Sequence, residues 1–130
     1  MPVMAQYYAP TDTTYEYSLH GTRYADMFEG RKTASGEVFH QNLYTAAHWK
    51  MKFGTLVLVT CPETKKQLIV KINDRCPKKG VLDMTKRAAT ELGIKGCKKV
   101  IARQLSESYR EQWENQNGAT DISQDFPSID

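Results

Sequence analysis

Two adjacent apolar segments constrain the fold of this 130-residue chain most strongly. Residues 55–60 are rich in β-branched side chains and apolar on both faces, whereas residues 67–73 alternate apolar with polar side chains. The segment 61–66 between them contains a proline and four polar residues, which end a strand. The two segments are therefore predicted to be paired central strands of a β-sheet.

A short helix and another strand are predicted after this pair. Thr85 is a favourable N-cap, Gly93 stands where a left-handed residue ends a helix, and an apolar face lies between them. This pattern predicts a helix over residues 86–92, and residues 100–105 read as a closing strand. Many short strands with one short helix favour a small barrel over a sandwich at this length.

The chain is long enough for one domain. Residues 1–20 are polar and rich in Tyr and Thr, as in an N-terminal arm or an edge strand. We place the barrel in residues 21–105. Residues 106–130 are polar and are predicted to form a C-terminal helix and tail.

Composition excludes several classes of protein. The net charge of +3 comes without a long Lys/Arg block, so nucleic-acid binding is not expected. No apolar run approaches the roughly 18 residues of a membrane-spanning helix, and the first residues do not resemble a secretory signal. No phosphate-binding glycine loop or zinc-protease motif occurs, so neither a cofactor nor a metal is expected.

Three cysteines, Cys61, Cys76 and Cys97, allow at most one internal disulfide. Cys76 follows one predicted strand and Cys97 precedes another, so these two could meet. Equally, all three could be reduced, small, buried residues. Both alternatives stay open at this stage.

One carboxylate occupies a position that suits acid–base chemistry. Asp74 ends an apolar strand, where the scaffold is rigid and the next loop is open. The alternative is structural, because a strand-end aspartate can cap the turn before Pro77 or pair with Arg75.

The other candidate side chains also have structural alternatives. Asp83 could be a helix-start residue, Glu37 an exposed loop charge, and His48 a buried histidine among apolar neighbours. The spacing of these groups by itself selects no mechanism.

Five linked motifs carry more information than any single residue. They are Tyr24-x3-Phe28-x-Gly30-Arg31-x-Thr33-Ala34-Ser35-Gly36-Glu37, Thr45-Ala46-Ala47-His48, Phe53-Gly54-Thr55-x-Val57-x-Val59-Thr60, Asn73-Asp74-Arg75-x-Pro77, and Leu82-Asp83-Met84-Thr85-x2-Ala88-Ala89-x2-Leu92-Gly93. In order and spacing the set resembles the rare lipoprotein A family. The resemblance implies a mainly β fold, a six-stranded double-psi β-barrel with one or two short helices.

The resemblance also implies an activity. Active members are lytic transglycosylases, which cut peptidoglycan glycan strands between N-acetylmuramic acid and N-acetylglucosamine and leave 1,6-anhydro ends. It implies the catalytic set Asp74, Glu37 and His48, with Asp74 as the acid and base. Substrate-binding or supporting positions fall on Asp83, Tyr24, Arg75, Thr33 and Ser35.

Location and partners follow from the same resemblance. It implies a periplasmic or secreted protein that acts on peptidoglycan strands, and we expect a monomer. One departure favours an alternative: Arg23 stands where the family usually has a tryptophan that could stack on a sugar. The alternatives are a non-catalytic expansin-like or barwin-like module that binds cell-wall glycan, and an inhibitor of the barwin kind.

Overall fold

The computed structural model describes residues 13–95 and 98–106. Six strands occur in this part of the chain: β1 (Thr13–Arg23), β2 (Thr45–Ala47), β3 (Leu56–Cys61), β4 (Lys66–Asp74), β5 (Val81–Met84) and β6 (Lys98–Leu105). Helix α1 spans Lys86–Leu92, and a 3₁₀ turn spans Asp26–Phe28.

The strands close into a barrel in the order β1-β5-β2-β4-β3-β6, with β6 pairing back onto β1. The pairs β1/β5 and β2/β4 are parallel, and the other pairs are antiparallel. Closure leaves no exposed sheet edge in a barrel of short strands. The mainly β, six-stranded barrel that the sequence predicts is confirmed.

The predicted central pair is the β3/β4 hairpin. Its register runs from Leu56 opposite Lys71 to Cys61 opposite Lys66, so each strand begins or ends within one residue of the prediction. Along β4 both faces are buried at Leu68, Ile69 and Val70, and Ile72 and Asn73 are buried as well. The predicted pairing is confirmed.

Helix α1 has the predicted bounds. The Thr85 hydroxyl accepts a hydrogen bond from the backbone N–H of Ala88, and Gly93 adopts the left-handed conformation with φ of 79°. A residue with a Cβ is strained at that φ, which explains the glycine. The buried face of α1 contacts β4 and β1.

Strand β1 departs from the predicted boundary. The barrel begins at Thr13 rather than at residue 21, because residues 13–20 pair with β6 along most of its length. The outer face of β1 is polar, and Glu16 there accepts a 2.8 Å hydrogen bond from Arg103. The Tyr- and Thr-rich composition is compatible with a strand here, but a pairing partner more than 80 residues away leaves no local signal. Residues 1–12 and 107–130, with most of the predicted arm and tail, lie outside the described residues.

Aliphatic side chains from the strands and from helix α1 form the main hydrophobic core. Its most deeply buried members are Val57, Val59, Ile69, Val70, Ile72, Leu82, Met84, Leu92 and Val100. A second, smaller apolar cluster contains Tyr24, Phe39 and Ala47, with Cys76 packed against it. This second cluster underlies the loops that surround Asp74.

Candidate active site

The barrel topology brings two carboxylates to neighbouring positions. Ala47 of β2 pairs with Asp83 of β5 on one side and with Asp74 of β4 on the other. Neighbouring strands lie about 4.8 Å apart, so the two aspartates flank β2 at one level. A register shift between Ala46 and Ala47 skips Asn73 and sets this alignment.

Asp74 is half-buried, and three hydrogen bonds fix its carboxylate. Oδ1 accepts the backbone N–H groups of Ala34 and Arg75, both at 2.8 Å. Oδ2 accepts the hydroxyl of Tyr24 at 2.7 Å. A carboxylate oxygen offers about two lone-pair sites, so Oδ2 keeps one site for a proton or a substrate.

Tyr24 is a buried support for Asp74. Its ring is 6% exposed and packs on Phe39 at 4.3 Å between ring centroids. Burial, the hydrogen bond to Asp74 and the negative charge of that carboxyl raise the pKa of Tyr24 far above its usual range. Its hydroxyl therefore remains a donor at every physiological pH.

Asp83 lies in a less polar environment than Asp74. It accepts a 2.8 Å hydrogen bond from the Thr22 hydroxyl of the adjacent strand β1. Burial and the negative charge of Asp74 raise the pKa of Asp83, although the hydrogen bond from Thr22 opposes this. Asp83 is therefore the carboxyl in this site that is held towards its protonated form.

Glu37 is held as an anion. Its oxygens accept the Lys71 ammonium at 2.9 Å and the Asn73 amide at 3.1 Å. Burial acts in the opposite direction, yet these two hydrogen bonds and the charge of Lys71 lower the pKa of Glu37. Glu37 lines a cleft of about 180 Å³ together with Ser35 and Phe53.

Thr33 and Ser35 shape the loop that carries Glu37. The Thr33 hydroxyl donates to the backbone carbonyl of Glu37 at 3.0 Å, and its oxygen lies 2.9 Å from the Ser35 hydroxyl. The backbone N–H of Ser35 donates to the carbonyl of Asn73 at 3.2 Å. The loop is therefore fastened to the end of β4 beside Asp74.

His48 is fully buried. Its Nδ1 accepts the backbone N–H groups of Lys50 and Met51, at 3.2 and 3.1 Å. Burial and the nearby charges of Lys50 and Arg75 lower the pKa of His48, so its ring is neutral with the proton on Nε2. Among the described residues no side chain or backbone group pairs with Nε2.

Arg75 points away from the Asp74 carboxylate. Its guanidinium donates to the carbonyls of His48 and Met51, at 3.3 and 2.7 Å, and stacks 4.1 Å from the centroid of Phe53. The side chain thus joins the loop after β2 to the loop after β4. The close approach of its charge to Asp74, which adjacency in sequence suggests, does not occur.

Cys61 and Cys76 do not take part in this network. Cys61 is a buried free thiol, and Cys76 is a half-buried free thiol packed against the Tyr24 cluster. Cys97 lies outside the described residues.

Sequence reasoning missed three groups that shape the site. They are the backbone N–H of Ala34 and the side chains of Lys71 and Asn73. The period of two along β4 places positions 71 and 73 on the same face, so the sequence does indicate that these two side chains are neighbours. Nothing local indicates that both would meet Glu37, more than 30 residues earlier.

Comparison with known families decides the classification. The family described as lytic transglycolase, a double-psi β-barrel family, matches residues 20–104. The chain belongs to this lytic transglycolase family. The match covers all the candidate site residues and nearly the whole barrel.

Curated proteins similar to this member of the lytic transglycolase family are endolytic peptidoglycan transglycosylases. The protein from Pasteurella multocida is 45% identical over 75 residues, which cover 56% of this chain and 26% of that protein. The protein from Neisseria meningitidis serogroup A is 37% identical over 96 residues, covering 71% of this chain and 40% of that protein. The chain spans about a quarter of the length of the first of these relatives.

Solved structures confirm the double-psi β-barrel fold. The expansin of Clavibacter michiganensis has a TM-score of 0.57 at 20% identity, covering 72% of this chain and 52% of that one. A Streptomyces papain inhibitor has a TM-score of 0.57 at 17% identity, covering 72% of this chain and 97% of that one. At these identities the likeness concerns the fold alone.

Two further features are absent from the described residues. Within residues 13–95 and 98–106, no three His, Cys, Asp or Glu side chains lie close enough together to hold a metal ion. In the same part of the chain, no helix has the length and apolar character needed to cross a membrane.

Proposed function

We propose that this chain is a peptidoglycan lytic transglycosylase that cleaves glycan strands between N-acetylmuramic acid and N-acetylglucosamine. The observation that carries the proposal is the environment of Asp74. This carboxyl stands at the end of a barrel strand, three donors orient it, and Oδ2 retains a free lone pair. The curated relatives named as peptidoglycan transglycosylases indicate the substrate.

Asp74 acts first as an acid and then as a base. Its protonated carboxyl transfers a proton to the glycosidic oxygen as the bond from that oxygen to C1 of the muramic acid breaks. The C6 hydroxyl oxygen of the same sugar then forms a bond to C1, and the Asp74 carboxylate takes the hydroxyl proton. The 1,6-anhydro ring forms, no water is consumed, and Asp74 returns to its starting state.

The neighbouring groups hold Asp74 in position for both steps. Tyr24 and the two backbone N–H groups fix the orientation of the carboxyl. Asp83 lies beside Asp74 with a raised pKa, and the Thr22 hydroxyl holds its carboxyl in place. His48 acts through the backbone, because its N–H donates to the Asp74 carbonyl at 3.2 Å while its ring is buried.

Glu37 belongs to the binding cleft in this proposal. Its carboxylate is engaged by Lys71 and Asn73, which limits its use as a nucleophile or as a base for water. A hydrolase needs a second carboxylate free to act across the scissile bond. The ion pair therefore favours the transglycosylase reaction. Glu37 and Ser35 line the strand-binding groove, Thr33 holds their loop, and Arg75 stacks on Phe53 in the wall of the groove.

This substrate implies a location outside the cytoplasm, periplasmic or secreted, because peptidoglycan is assembled there. We further propose that the barrel acts as a monomer, since the groups of the site all come from one chain.

The test is mass spectrometry of glycan strands after incubation with the protein. Intact strands and strands stripped of stem peptides are treated with wild type, with Asp74→Asn, and with Asp26→Asn as a matched control in the exposed 3₁₀ turn. We expect 1,6-anhydro ends with wild type and the control, and at least a hundredfold less product with Asp74→Asn.

Other products would overturn the proposal. Reducing ends would mean hydrolysis and a role for a second carboxylate. Strand binding without cleavage would identify a non-catalytic, expansin-like module.

A further inference from the structure

An exposed tryptophan with two cations lies beside the candidate active site. The Trp49 ring has Lys50 Nζ at 5.2 Å and Lys79 Nζ at 4.9 Å from its centroid, and Trp49 is 36% exposed. Both distances are within the range of a cation–π interaction. We call Trp49, Lys50 and Lys79 the Trp49 patch.

The patch is strongly and uniformly positive. The loops that form it, residues 48–53 and 75–80, contain no acidic residue and carry two further lysines, Lys52 and Lys78. Within the described part of the chain, none of these four lysines forms an ion pair with a carboxylate. The positive charge of the patch is therefore available to an external anion.

The patch is tied to Asp74 by short connections. Trp49 follows His48, whose backbone N–H donates to the Asp74 carbonyl. Lys79 belongs to the loop that begins at Arg75, and the Arg75 guanidinium fastens that loop to the carbonyls of His48 and Met51. A ligand that occupies the site at Asp74 and extends along these loops reaches the patch.

The chemistry of the patch fits a sugar that carries a carboxylate. The two ammonium groups meet the negative quadrupole of the indole ring, and the part of the ring that remains exposed offers apolar surface to a pyranose ring. Ammonium groups held over the ring are placed to meet an anionic substituent of that sugar. Because contacts to the ring already orient the lysines, binding loses less side-chain freedom than at unrestrained surface lysines.

We propose that the Trp49 patch is a subsite that recognises the carboxylates of the glycan strand. The inference rests on the proposed function, since it takes the peptidoglycan strand as the ligand. Such carboxylates have two sources: the lactyl group of muramic acid in strands without stem peptides, and the stem peptides themselves. The shared chemistry is a carboxylate attached to every second sugar.

The test measures binding by calorimetry in an Asp74→Asn background, which prevents cleavage of the strands. Lys50→Gln/Lys79→Gln is compared with the parent and with Lys65→Gln/Lys66→Gln. The control pair removes the same charge at the opposite end of β4, where Lys65 and Lys66 are exposed. The ligands are stripped strands, intact strands, stripped strands with their carboxylates amidated, and neutral N-acetylglucosamine oligomers.

We expect the patch variant to bind carboxylated strands roughly three- to thirtyfold more weakly, the effect of two partly exposed ion pairs. The control pair should bind as the parent does. Amidated strands and neutral oligomers should bind the patch variant and the parent equally. A larger loss with stripped strands would identify the lactyl carboxylate, and a larger loss with intact strands the stem-peptide carboxylates.

Three results would overturn the subsite. In the first, the control pair weakens strand binding as much as the patch variant does. In the second, the patch variant binds neutral and carboxylated ligands equally weakly relative to the parent. In the third, the patch variant binds strands as the parent does but loses binding to phosphatidylglycerol vesicles. The last would assign the patch to a membrane surface. This experiment measures binding and not cleavage. A failure of the subsite is therefore distinguished from a failure of the proposed activity, which the cleavage assay of the wild-type protein tests.

Discussion

The hydroxyl of Tyr24 donates a 2.7 Å hydrogen bond to Oδ2 of Asp74, across 50 residues of sequence. The Tyr24 ring is immobilised against Phe39, so this bond fixes the direction of the carboxyl rather than following it. Asp74 therefore depends on a rigid, buried partner that belongs to a different part of the chain.

Tyr24→Phe removes this bond and keeps the ring. We expect kcat for strand cleavage to fall about tenfold with little change in KM, because orientation of the acid is lost while the groove remains. The free energy of unfolding should fall by about 1 kcal/mol, the usual net contribution of one hydrogen bond. Steady-state kinetics and urea denaturation measure the two effects.

Tyr44→Phe is the matched control for this variant. The Tyr44 hydroxyl bonds Glu91 of α1 at 2.9 Å, away from Asp74. It should lower stability to a similar extent and leave kcat unchanged. An equal loss of kcat in both variants would show that the effect of Tyr24 on activity is general destabilisation.

Asp83→Asn should change the dependence of stability on pH. The folded-state pKa of Asp83 is raised, so the folded protein binds the proton more tightly than the unfolded chain. The stabilisation by the protonated form is present at low pH and is lost as pH rises through the folded-state pKa. Asparagine does not titrate and still accepts the Thr22 hydrogen bond, so the variant should gain Tm relative to wild type as pH rises.

Thermal denaturation of both proteins from about pH 3 to pH 8 measures this gain, since the ordinary pKa of aspartate lies within that range. A Tm difference that stays constant over the whole range would contradict the raised pKa of Asp83.

His48→Asn should lose less stability than wild type does as the pH becomes acidic. The pKa of His48 is lowered in the folded state, so the unfolded chain binds the proton first as pH falls. Wild type should lose stability below about pH 6.5, by at most about 1.4 kcal/mol per pH unit from this residue. Asparagine can accept the N–H groups that Nδ1 accepts, and it does not titrate.

Urea denaturation at several pH values tests the role of His48. All groups other than residue 48 are the same in both proteins, so their effects cancel in the comparison. The same acid dependence in His48→Asn and wild type would mean that other groups cause it.

Gly21→Ala should destabilise the barrel by about 1–3 kcal/mol, as overpacking usually does. A Cβ at position 21 would lie 2.9 Å from Val100 Cγ1 and 3.0 Å from Met84 Cε, inside the core. Ser18→Ala, at an exposed position of the same strand, is the control and should change stability by less than about 0.5 kcal/mol. Urea denaturation measures both, and a Gly21→Ala protein as stable as the control would show that the core adapts there.

Parts of the fold could be predicted because their signals are local. Helix α1 has its N-cap and its C-terminal glycine within nine residues, and the predicted bounds are confirmed. The β3/β4 hairpin has two apolar segments joined by a short polar turn. Each of these elements depends on side chains that are neighbours in sequence.

The candidate site could be predicted only in part. Asp74 stands at a strand end because the apolar alternation of β4 stops there, which the sequence shows. Its partnership with Tyr24 and the ion pair of Glu37 with Lys71 were not predictable from spacing, whereas the apolar neighbours of His48 did favour a buried ring. The first two arise from contacts between segments that are distant along the chain.

By itself, the sequence determined the local elements, the position of Asp74 and the family to which the chain belongs. Only the tertiary structure decided that residues 13–20 form a barrel strand and that Asp74 and Asp83 flank the same residue of β2. The physical reason is that capping, turn formation and alternation act over a few residues, whereas barrel closure pairs segments separated by tens of residues. The environment of each carboxyl, and therefore its chemistry, depends on that closure.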